Sequence, residues 1–234
     1  MFSSIEGVLG GQENIKFWSV LDQTKGKVGF LNHHFIGTNL KYKKVILIGL
    51  DQTFSHYHAV ALKLGHNLTK QREEKKLRFF NGARHILLNT IGQESMLRPE
   101  NGLKELYKEI SDLLEPDSFL ILDNISVLTS LGFSNREVYL FLTKLSKLVD
   151  GLNSSMLSTF AQLEPDLLTY NISRNSDIHF EIQDLKTGKS KDVTGNISIN
   201  RRSVCGGFSR EDYQFRLEEK SVKLFPPGTS GAVL

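Results

Sequence analysis

The sequence predicts an α/β fold, with a mostly parallel central sheet flanked by helices and antiparallel strands added at its C-terminal end. Three observations carry this. Five short apolar runs are continuous rather than alternating, as strands covered on both faces are. Amphipathic stretches of helical period separate them, and strand–helix alternation implies parallel pairing through crossovers. The last third of the chain then changes to a period of two. The 234 residues suffice for one large domain spanning 1–234 with a sizeable core. No Pro- or Ser-rich linker and no internal repeat divides them.

The five runs are Lys16–Leu21, Val45–Leu50, Leu77–Phe80, Phe119–Leu122 and Met156–Phe160. Helical stretches follow the first two, over Phe30–Leu40 and Phe54–Leu64. From Asn101 to Leu114, the residues Leu103, Leu106, Tyr107, Ile110, Leu113 and Leu114 share one helical face. Ser134–Val149 opens on the capping residues Ser134-Asn135 and carries Val138, Phe141, Leu142, Leu145 and Leu148 at helical spacing. Asp177–Leu185 alternates, with Ile178, Phe180 and Ile182 opposite His179, Glu181 and Gln183. Thr187-Gly188-Lys189 forms a turn, and Val193–Asn200 is the returning strand. Tyr213–Leu217 and Val222–Phe225 flank Glu218–Ser221 as a hairpin. Gln71–Lys76 and Lys186–Asp192 read as charged surface loops.

The stretch DQTKGKVGFLNHHF, Asp22–Phe35, lies between the first run and the first helix, where nucleotide-binding chains place a phosphate loop. A working loop reads G-x-x-x-x-G-K-[ST]: glycines let backbone N–H groups close on phosphate, Lys neutralises it and the hydroxyl holds magnesium. With the second glycine on Gly29, Phe30 and Leu31 stand where Lys and Ser or Thr are needed, and the first glycine falls on Thr24. Phe30 is expected to bring an apolar ring to the triphosphate position. Lys25 and Lys27 lie too early in the loop to point into the cradle, although a helix N-terminus still offers N–H groups to an anion. Phe119–Asp123 has the form of a Walker B strand, four apolar residues and a magnesium-supporting carboxylate. Asn124 follows where a base for water activation often sits. The pairing suggests a nucleotide-hydrolase fold without hydrolase chemistry.

Other chemistry finds less support. His33 and His34 point about 100° apart on a helix, and His56 and His58 also lack the spacing of a shared metal face. With one cysteine and no HExxH motif, no metal and no cofactor is expected. Cys205, in SVCGG, lacks an acid–base motif and reads as a turn residue. Arg201-Arg202, after a strand and near Lys189 and Lys191, is either a nucleic-acid contact or a solvated hairpin end. The net charge of +3 permits a local basic patch without demanding one. A lone cysteine fits a reducing compartment. The N-terminus MFSSIEGVLGGQEN has no signal-peptide pattern. A cytoplasmic, or also nuclear, location is expected.

Several unusual stretches resemble one family. Gln52–Tyr57 (QTFSHY) with Lys63-Leu64-Gly65 is similar to the second strand–helix unit of Elongator complex protein 6. So are Phe35 after His33-His34, Leu122–Leu128 (LDNISVL) with Ser130-Leu131-Gly132, Lys220-Ser221-Val222, and Ala232-Val233-Leu234. The resemblance implies a RecA-like, P-loop-NTPase-type fold without a functional phosphate loop. It implies a ring of six built with the paralogous Elongator subunits four and five. That ring would join the catalytic subcomplex that modifies the wobble uridine of tRNA, bind tRNA, and leave the acetyl-transfer chemistry to another subunit. RNA-binding candidates are Lys25, Lys27, Arg201 and Arg202. Two rival readings are an NTPase with a non-standard site at subunit boundaries, using Lys25, Lys27 and Asp123, and a structural partner without RNA contact. The C-terminal segment Leu224–Leu234 and the helix start Phe54–Tyr57 are the interface candidates.

Overall fold

The computed structural model describes residues 3–9, 15–24, 26–91, 102–185, 188, 190, 192–203 and 206–229. In chain order the described elements are α1 (Ser3–Leu9), β1 (Phe17–Asp22), α2 (Gly29–Asn39), β2 (Lys44–Gly49), α3 (Phe54–Lys63), α4 (Leu68–Glu73), β3 (Leu77–Asn81), α5 (Gly82–Ile91), α6 (Gly102–Leu113), β4 (Ser118–Asp123), α7 (Ser126–Ser130), α8 (Asn135–Gly151), β5 (Ser155–Ala161), α9 (Leu167–Asn175), β6 (Ile178–Gln183), β7 (Gly195–Arg202), β8 (Phe208–Leu217) and β9 (Val222–Phe225). The strands form one sheet in the order β3-β2-β4-β5-β1-β6-β7-β8-β9. Pairing is parallel from β3 to β6 and antiparallel from β6 to β9.

The continuous apolar runs are explained by burial on two sides. In β2 and β4, Val45, Leu47, Phe119 and Ile121 face a core shared with α1–α4. Their neighbours Ile46, Ile48, Leu120 and Leu122 face a second core shared with α5–α9. The period of two in β6–β9 reflects a sheet with one polar face. Ile178, Phe180, Ile182, Ile197, Ile199, Phe215 and Val222 continue the first core. On the other face Arg210 bridges Asp212 at 2.9 Å and Glu181 at 3.6 Å. His179 departs from that polar face: it is buried, with Nδ1 2.8 Å from Ser19 Oγ.

Capping sets the helix starts. Ser134 caps α8 in a reciprocal box with Glu137, and Asp166 caps α9 with Thr169. Several expectations need correction. Gln71–Glu73 is not loop but the end of α4, whose first turn is held by Asn67 accepting from Lys70 N–H. Arg201 and Arg202 lie within β7 rather than after it. The hairpin strand Val222–Phe225 forms as expected, as β9 paired with β8, which gives the first two residues of the interface candidate Leu224–Leu234 a place in the sheet. At the start of α3, Tyr57 is 2% exposed and Phe54 lies against Phe79 and under the Arg72 guanidinium, while Ser55 and His56 are exposed. Lys25, Lys189, Lys191, Cys205 and the last five residues of the C-terminal segment lie outside the described residues.

Candidate functional site

Open α/β sheets bind ligands at the carboxyl ends of their parallel strands. A cleft occupies that place here, lined by Asp22 and Gly29 from the β1–α2 connection, Asn32 and His33 of α2, Asp51 and Gln52 after β2, His56 and Tyr57 of α3, Asp123 and Asn124 after β4, and Thr159 of β5. Its free volume is about 130 Å³, against roughly 300–1,000 Å³ for pockets that take drug-sized ligands. The enclosed space is smaller than that of such pockets.

The phosphate-loop position is filled by the chain's own carboxylate. Asp22 is fully buried. Its Oδ1 accepts from Thr24 N–H at 2.8 Å and from the Thr24 hydroxyl at 2.5 Å. Its Oδ2 accepts from Val28 N–H at 3.4 Å, directly before α2. Thr24 Oγ1 in turn accepts from Lys27 N–H at 3.0 Å. These N–H groups are of the kind that would close on a phosphate. Three of the loop's backbone donors are thereby spent within the chain.

The residues singled out in the motif are dispersed. Gly29 lines the cleft. Phe30 does not enter it, contrary to expectation: its ring packs on Phe215 of β8, 5.2 Å between centroids. Leu31 is fully buried in the first core. The helical phase that turns Asn32 and His33 toward the cleft turns Phe30 and Leu31 away from it. Lys27 pairs with Asp184 and reaches the Thr194 carbonyl, toward the antiparallel strands.

Asp123 is held as closely as Asp22, by different means. Tyr57 donates its phenol to Oδ2 at 2.6 Å, and Thr159 donates its hydroxyl to Oδ1 at 2.6 Å. Burial pushes the Asp123 carboxyl above the usual carboxylate range, opposed by these two hydrogen bonds. Burial beside Asp123 also pushes the Tyr57 phenol up. Burial lowers His33 to about 4, so its ring is neutral near pH 7. Among the described residues, no group of three or more His, Cys, Asp or Glu side chains could hold a metal ion.

The other basic candidates are engaged within the chain. Arg201 bonds Glu211 at 3.2 Å and donates to the Val8 and Leu9 carbonyls at 2.7 and 3.3 Å. It therefore caps the C-terminal end of α1, where a cation is favoured. Arg202 pairs with Asp177, whose other oxygen accepts from Lys16 and Phe17 N–H. Sequence reasoning missed Asp22, Asn32, Tyr57 and Thr159. A signal for Asp22 existed: it ends an apolar run as Asp123 does, and an Asp two residues before Thr favours a self-bonded turn.

Comparisons with known proteins agree with this architecture. The family described as Elongation complex protein 6 matches residues 11–219. Elongator complex protein 6 of Xenopus tropicalis is 31% identical, covering 100% of both chains. That of Xenopus laevis is 30% identical over 99% of this chain and 98% of the relative. That of Rattus norvegicus is 33% identical over 92% of each. Among solved structures, a KaiC-like protein of Pyrococcus horikoshii superposes with a TM-score of 0.59 at 14% identity, over 90% of this chain and 89% of that one. This likeness shows a RecA-like fold. No helix among the described residues is long and apolar enough to cross a membrane. With the family match spanning most of its length, the chain belongs to the Elongator complex protein 6 family.

Proposed function

We propose that this chain is a non-catalytic subunit of the Elongator accessory ring. It would assemble with the paralogous subunits four and five and support tRNA wobble-uridine modification through ring assembly and tRNA binding. One observation carries the non-catalytic part: Asp22 accepts from two backbone N–H groups of the phosphate-loop position, Thr24 and Val28, so a carboxyl group of the chain itself already stands there. Asp123 adds to it, since it is buried and both carboxyl oxygens already accept from protein hydroxyls, so a metal-bound water would have to share them. Family membership supports the assembly part.

RNA contact by this subunit falls on side chains able to exchange partners. Lys27 and Arg202 qualify, with side chains 37% and 43% exposed in their ion pairs. Exposed pairs are weak enough for a phosphate to compete. Arg201 is committed to α1, and Lys25 stays a candidate from its place in the sequence. Phosphate contacts carry no base information, so this contribution is independent of tRNA sequence.

The test is native mass measurement of the chain co-expressed with subunits four and five, with and without tRNA. A six-subunit assembly that gains RNA, and whose affinity weakens with a flatter salt dependence on Lys27→Glu and Arg202→Glu, is the expected result. A chain that stays outside the assembly overturns the reading. An intact ring with unchanged affinity and slope removes the RNA contact and leaves a structural partner.

A further inference from the structure

The cleft offers hydrogen-bond acceptors, and no lysine or arginine lines it among the described residues. Its deep wall holds Asp22, Asn32, His33, Tyr57, Asp123 and Thr159, all buried. Asp51 and His56 stand exposed at its mouth. Asn32 is the informative residue. It is 1% exposed, yet its Oδ1 has no hydrogen-bond partner within the protein. Asn32 lines the cleft, so the unpartnered oxygen belongs to a side chain on its wall. A buried acceptor without a donor is destabilising and marks the place for one.

We propose that this cleft binds an organic cation, a guanidinium or primary ammonium group, between Asn32 Oδ1 and the Asp51 carboxylate. An anion is disfavoured by three carboxyl groups, Asp22, Asp51 and Asp123, around one small space. A metal ion lacks a suitable ligand group among the described residues. A volume of about 130 Å³ suits a side-chain head rather than a nucleotide. Guanidinium carries a fork of N–H donors and ammonium carries three, so either group can serve the buried amide oxygen and the carboxylate at the mouth together. His33 cannot supply the charge itself, being held neutral by burial. The cation has two sources, a side chain of a neighbouring protein or a free small amine. The chemistry is common to both and stands without ring membership.

Agmatine carries both head groups and is the probe. It is titrated into the isotope-labelled full chain, and the side-chain amides of Asn32 and Gln52 are followed by NMR. The expected result is a saturable shift of the Asn32 and Gln52 amides at millimolar agmatine, weakened several-fold by Asp51→Asn, with the Gln52 shift lost in Asn32→Ala. Inorganic phosphate at equal concentration leaves these signals in place. No saturable shift, an equal response in Asp51→Asn, or a matching response to phosphate overturns the proposal. A response seen only in Lys25→Ala also overturns it, because the cation would then be the chain's own. Asp51→Lys in the co-purified assembly separates the sources. A weakened assembly assigns the cation to a partner side chain, and an unchanged one assigns it to a free amine.

Discussion

Asp22 and Asp123 end two strands of the same sheet, line the same cleft, and are held in opposite ways. Asp22 folds back on its own connection and takes donors within six residues of itself. Asp123 is held by two other elements, Tyr57 of α3 and Thr159 of β5, which are 66 and 36 positions away. The first arrangement removes the donors a phosphate would need. The second engages both carboxyl oxygens that a metal-bound water would have to share. Under the proposed reading, a phosphate-binding architecture loses its ligand without losing its fold because each half of the site is bonded to the protein itself.

The largest expected difference follows from removing Asp123. Asp123→Ala leaves the Tyr57 hydroxyl buried without its acceptor and the Thr159 hydroxyl with only the Leu122 carbonyl at 3.4 Å. At roughly 1–3 kcal/mol per stranded group, the loss should be about 2–5 kcal/mol in urea unfolding. Asp22→Ala strips a turn in which the Val28 N–H bond is long, 3.4 Å, and only partly buried. The same measurement should give a smaller loss, about 1–3 kcal/mol. Equal losses would mean that both connections are equally closed to solvent.

A third prediction concerns pH. Burial depresses His33, His34 and His179, each to about 4, from an ordinary value of 6.5. The folded protein resists protonation that the unfolded chain accepts. Stability is therefore full above about pH 6.5 and falls as pH drops from there toward 4, by about 1.4 kcal/mol per pH unit per histidine. Asp123 acts with opposite sign, since a raised carboxyl takes up protons on folding as the pH falls toward its folded value. Removing one histidine by His33→Gln should flatten the slope in that window by about one proton's worth, read from unfolding at several pH values. An unchanged slope would place His33 in water.

The phosphate-loop comparison was partly legible in the sequence. Gly29-Phe30-Leu31 lacks the needed Lys and hydroxyl, and that deficit is visible without coordinates. The fate of Phe30 was not, because its contact with Phe215 spans most of the chain. The same holds for Tyr57 and Asp123. Strands β2, β4 and β5 were readable because burial on both faces leaves continuous apolar runs, and β6 because burial on one face leaves alternation. Helix α4 was hidden under the charged run QREEKK, where Leu68 alone is buried. Helix α9 was missed although Asp166 and Thr169 cap it, since its exposed Leu167 and Tyr170 blur the apolar face. Apolar pattern reports burial, and it misleads where apolar side chains remain exposed.

The smallest effect belongs to the loop's ion pair. Lys27 and Asp184 are both substantially exposed, so Lys27→Ala should change stability by only about 0–1 kcal/mol in urea unfolding. A larger loss would mean that this pair, rather than Asp22, fixes the β1–α2 connection.

The central claim is that the chain's own carboxylates have replaced the nucleotide. It is tested most directly by equilibrium binding of a fluorescent ATP analogue with magnesium to the full chain. The account predicts no saturable binding into the millimolar range. Saturable micromolar binding that disappears with Asp123→Ala, in a variant still folded, would contradict it.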